Sequence, residues 1–116
     1  MSKKFFATLV SFFFAPLTLL CVAFFYHNVL LTFLLLVIIS SLAIIFNSNT
    51  RVALTLWLTA TILGPLAEVF AIHFGAWHYA LASKPLSIPI WLAPCWGLAG
   101  IFFYNLSKRL EDRLNK

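Results

Sequence analysis

Glu68 is the residue whose setting demands a chemical explanation. It sits in the stretch GPLAEVFAIHFGAWHYA, residues 64–80, where nearly everything around it is apolar. The chain has only three acidic residues, and the other two, Glu111 and Asp112, lie in a charged tail. A carboxyl group in apolar surroundings offers proton donation, either acid-initiated chemistry on an alkene or one station of a proton relay. It equally offers a hydrogen-bonding lock between helices. The groups within sequence reach are Trp77, His78 and Tyr79, just beyond it, and Trp96 further on. An indole N–H is a donor to a carboxylate, and aromatic faces stabilise positive charge.

Other chemistry is poorly supported. His73 and His78 are five residues apart, not the four that would align them on one helix face for a metal, so they read as interfacial histidines. Cys21 and Cys95 both fall in the halves of their helices nearest the histidines and read as buried free thiols. No phosphate loop, nucleophile triad or paired catalytic carboxylates occur, and no cofactor or metal is expected.

The elements that must position Glu68 follow from composition. Of 116 residues, 63% are hydrophobic and 9% charged, against about 25% charged in soluble domains. So short a chain cannot hide that much apolar surface in a water-soluble core. Four charge-poor runs, about 5–26, 29–46, 52–74 and 88–106, match the roughly 17–25 helical residues that span a bilayer. They lack the alternation of barrel strands. The first run is longer than the h-region of an export signal and reads as a retained helix. The expected fold is therefore all-α: one membrane domain, residues 1–116, with four transmembrane helices and a basic cytoplasmic tail at 107–116.

Basic residues set the orientation. Lys3, Lys4, Arg51, Lys108, Arg109, Arg113 and Lys116 fall on one side of a four-span arrangement, and Lys84 alone falls on the other. Both ends are then cytoplasmic, and His27, His73 and His78 all lie outside. The net charge of +5 is explained by this anchoring and by contact with anionic headgroups, without a nucleic-acid partner. The compact size and absence of a targeting segment suit a bacterial inner membrane.

On the third helix, Trp57, Thr61, Gly64, Glu68 and Ile72 form one stripe, with Gly75 at its end. Glu68 lies roughly 9 Å below the outer end of the helix, and Arg51 is about 25 Å away from it on the same helix. Pro65 removes the N–H that would bond the Thr61 carbonyl. Trp96 lies about 12 Å into the fourth helix, at the level of Glu68. These placements predict an outward-facing polar pocket built from Glu68, Trp77, His78, Tyr79 and Trp96. Tyr26, Trp77, Tyr79 and Trp91 at the outer interface, and Trp57 and Tyr104 at the inner one, also read as interfacial aromatic belts. The second helix reads as lipid-facing, with Ser40 and Ser41 bonding back to their own backbone. Asn49 or Thr50 is a possible N-cap of the third helix. Ala93, Gly97 and Gly100 allow close helix contact, including a homo- or hetero-oligomer.

Glu68, then Gly75, Trp77 and Tyr79, then Pro89, Trp91, Pro94, Trp96 and Gly97, resemble the small membrane enzymes of carotenoid biosynthesis, the lycopene cyclase-type domains and the related hydratases. The resemblance runs from Gly64 to Gly97. It implies a polytopic helical fold, a hydrophobic isoprenoid substrate and Glu68 as the catalytic acid. Cyclase-type domains carry acidic residues after the proline that opens a helix, where this chain has Ile90 and Trp91. Only Glu68 carries over. The expected role is accordingly a non-catalytic membrane component: a subunit, assembly factor or binding module whose partners are the bilayer and a hydrophobic small molecule. The alternatives are an isoprenoid enzyme acting through Glu68 and a subunit of a proton-coupled transporter.

Overall fold

A computed structural model of the chain describes residues 3–79 and 87–115; Lys84, Pro85 and Lys116 lie outside the described residues. Four helices account for most of these residues, and no β-strand occurs among them: α1 (Lys3–Phe25), α2 (Val29–Ile45), α3 (Thr50–His73) and α4 (Leu92–Leu114). The body measures 47 × 27 × 21 Å. α4 is the hub. It packs most extensively on α3 and also contacts α1 and α2.

The helix boundaries have local causes. Asn28 caps α2 by accepting from the Leu31 N–H at 3.1 Å. Asn49, one of the two expected residues, caps α3 by accepting from the Val52 N–H at 3.2 Å. The C-terminus of α3 is closed by Gly75 at φ +83°, where the Gly75 N–H bonds the Ile72 carbonyl and the Ala76 N–H bonds the Ala71 carbonyl. That is a Schellman closure, and its left-handed residue suits glycine. It turns the chain sharply, so that residues 77–79 return toward α3.

α4 starts at Leu92, later than the expected 88, and continues through the basic segment, so residues 107–114 are helical rather than a loose tail. Pro94 falls in its first turn, where the missing N–H costs no helical bond. α2 is not purely lipid-facing. It buries Thr32, Leu36, Ile39, Ser40 and Ala43, a stripe at helical spacing that belongs to the core. The two serines also part ways: Ser41 bonds back to the Val37 carbonyl at 3.0 Å, whereas the Ser40 hydroxyl is buried without a partner.

Three segments meet at one end of the bundle. The Phe6 and Phe46 rings pack edge to face with centroids 6.2 Å apart, and the Arg109 guanidinium lies 5.9 Å from the centre of the Phe5 ring. The start of α1, the α2–α3 turn and the charged half of α4 are thus together, at the end opposite the site around Glu68. Large apolar side chains such as Leu19, Phe24, Ile45, Phe70 and Phe103 stand exposed on the outside. Among the described residues one helix, α3, is long and apolar enough to cross a membrane, and only 22% of its apolar window is buried within the protein.

Candidate functional site

The site is built where α3 meets α4. Glycines let the two helices approach. A Cβ on Gly64 would collide with the Trp96 indole, one on Gly97 with Trp57 and the Thr61 hydroxyl, and one on Gly100 would come within 2.9 Å of the Ala60 Cβ. Gly97 and Gly100, expected as contacts for another helix, therefore find that helix within the same chain. The stripe Trp57, Thr61, Gly64 and Glu68 is the face of α3 that meets α4, as its 100° periodicity predicts.

Gly64 decides how Trp96 lies. With no side chain on Gly64, the indole crosses α3 there, and its Nε1–H reaches Oε2 of Glu68, one turn further along. Tyr79, brought back by the Gly75 turn, donates its hydroxyl to Oε1 of the same carboxyl group. Both oxygens of Glu68 therefore accept from side chains, one on α4 and one in the loop after α3. Glu68 itself is 8% exposed, so its hydrogen bonds face little competition from solvent.

Trp91, which reads from sequence as a belt residue, is buried at 8% exposure and stacks edge to face on Tyr79 with centroids 6.2 Å apart. It packs against the ring whose hydroxyl reaches Glu68. Nothing local marks this role, because it depends on the loop folding back. Burial is the largest cause that pushes the Tyr79 phenol above the ordinary tyrosine range, followed by its hydrogen bond and charge interaction with Glu68; Trp77 acts weakly in the opposite sense.

Two other expected site residues stand apart. His78 is exposed, and no hydrogen bond joins it to Glu68. Trp77 is 44% exposed and does not touch the carboxyl group through a hydrogen bond. Of the five residues expected to form the pocket, Glu68, Tyr79 and Trp96 form a bonded unit.

Deeper along the same interface, the Trp57 Nε1–H and the Thr61 hydroxyl are buried without partners. Both crowd Gly97, and Pro65 leaves the Thr61 carbonyl without its usual helical donor. Among the described residues no group of three or more His, Cys, Asp or Glu is placed to hold a metal ion, and Cys21 and Cys95 are both free thiols. The chain matches no family model, no curated protein and no solved structure.

Proposed function

We propose that this chain is a small, non-catalytic integral membrane component in which Glu68 anchors the outer loop to the α3–α4 pair. In this reading all four helices span the bilayer, the two ends are cytoplasmic, and the face bearing Trp77 and His78 is presented on the far side as a binding surface. A bacterial inner membrane suits so small a multi-pass chain. The observation that carries the reading is the double hydrogen bond: one buried carboxyl group accepts from Tyr79 and from Trp96. A proton donor for catalysis needs a path to a substrate atom, whereas an acceptor with both oxygens engaged ties segments together. The basic residues at the end where Phe5, Phe46 and Arg109 meet, and the histidines at the other end, fit a cytoplasmic location for the former.

Two measurements test this. Single cysteines in place of Ser48, Ser107 and His78, in a background lacking Cys21 and Cys95, are probed with a membrane-impermeant maleimide. Protection of positions 48 and 107 with labelling at 78 is expected in sealed, correctly oriented vesicles, and positions 48 and 107 on opposite sides would reject the four-span arrangement. Glu68→Gln keeps the size of the side chain but sets an amide NH2 against one of the two donors. Faster amide hydrogen exchange at residues 75–79 is the expected result; unchanged exchange and unchanged thermal stability would overturn the anchor.

A further inference from the structure

α4 has a second interface, with α1, and it is loosely filled. A cavity of about 230 Å³ lies there, reaching in to Ala43 of α2. Its origin is a choice of side chains. Phe12 and Phe102 meet edge to face with centroids 5.5 Å apart, while Ala15 and Ala99, which line the cavity nearby, reach no further than a methyl group. The inner wall is Phe14, Leu98 and Ile101, all buried; Leu19 and Phe103, more than 60% exposed, open it to the outer surface of the bundle.

The wall offers a ligand almost nothing polar. Thr18 lines the cavity, but its hydroxyl donates to the Phe14 carbonyl at 2.8 Å and is spent. Among the described lining residues, Cys95 contributes the only other side-chain heteroatom. An apolar cavity of roughly 150 Å³ already stays dry and takes up benzene or xenon. A larger one open to the side of an apolar body leaves its lining atoms without dispersion partners unless hydrocarbon fills it. The mouth, between two exposed apolar side chains and away from the basic end, admits a chain from the side rather than a headgroup from the end.

We propose that this cavity binds a single linear hydrocarbon chain, the tail of an acyl or prenyl lipid, which enters from the bilayer between Leu19 and Phe103. The site is separate from Glu68, lying across α4 from Gly97 and Gly100. The proposal rests on the chain being embedded in lipid, which the maleimide mapping tests independently.

The experiment uses the full chain in phosphatidylcholine vesicles with palmitic acid carrying a mid-chain diazirine. Photolabelling is followed by peptide mapping, with and without excess unmodified palmitate or a polyprenol as competitor. Labelling concentrated on residues 14–19 and 95–103 that saturates and is competed away is the expected result. Competition by palmitate and not by polyprenol assigns an acyl chain, and competition by polyprenol at lower concentration than palmitate assigns a prenyl chain. Ala99→Phe, or Ala15→Leu if the former loses helicity, is expected to abolish the saturable part while leaving labelling of the exposed Leu34 and Phe70 unchanged. Labelling spread evenly over the exposed surface without saturation in the unaltered, membrane-embedded protein would overturn the site alone, whatever the variants do.

Discussion

The two faces of α4 are packed by opposite rules. Toward α3, the Trp96 indole lies against Gly64, Trp57 and the Thr61 hydroxyl lie against Gly97, Ala60 lies against Gly100, and a buried carboxyl group is held at the outer end. Toward α1, alanines at 15 and 99 face a gap that none of the described residues fills. Both faces use small residues. A small residue closes an interface when a large side chain from the partner lies across it, and opens one when its neighbours are small as well. Trp96 lies across Gly64; nothing comparable crosses Ala99.

This contrast can be broken most severely at Gly64. Gly64→Val should lose about 1–3 kcal/mol or more, because its side chain would occupy the place of the Trp96 indole and pull that donor from Glu68. Thermal or denaturant unfolding in detergent would read the loss. The matched change on the other face, Ala99→Val, should be neutral or stabilising, since its methyl groups enter free space. Equal losses at the two positions would dissolve the comparison.

Glu68→Ala is expected to follow, leaving the Trp96 and Tyr79 donors unpaired at about 1–3 kcal/mol for each that stays buried. Tyr79→Phe should cost less, about 0.5–1.5 kcal/mol for the lost hydrogen bond, because the ring still packs on Trp91. Alkali sharpens this point. The Tyr79 phenol is held above its ordinary range in the folded state by burial and by Glu68, so its stabilisation is complete below the ordinary value near 10 and is lost as pH rises through the raised folded value. Absorbance titration should show a lagging phenolate component that disappears in Tyr79→Phe. The smallest effect is expected at His78→Ala, within about 0.5 kcal/mol, since that side chain is exposed and unbonded to Glu68.

How much of this was legible in the sequence varies by residue. The face of α3 carrying Trp57, Thr61, Gly64 and Glu68 follows from periodicity alone. The level of Trp96 does not, because α4 opens at Leu92 rather than at the expected 88 and leaves Trp96 only about 6 Å into it. Asn49 announces its cap. His78 and Tyr79 are adjacent, however, and either could have been the partner of Glu68. Which one turns inward depends on the left-handed turn at Gly75 and on the support that Trp91 gives from the next helix. Ser40 and Ser41 pose the same problem within α2, where only the neighbouring helices decide that one is buried and the other exposed. Trp91 itself carries no local sign that it is a wall of the site rather than an interfacial anchor.

The amino-acid sequence by itself determined that the chain is helical and apolar and that one carboxyl group lies far from Arg51, the arginine of its own helix, since these depend on composition and on distances along a regular helix. Tertiary structure alone decided that Glu68 is held by Tyr79 and Trp96, that Gly97 and Gly100 pack against α3, and that a void opens between Ala15 and Ala99. Those outcomes depend on which surfaces of separate helices face each other, and helical periodicity carries no information about a partner's rotation.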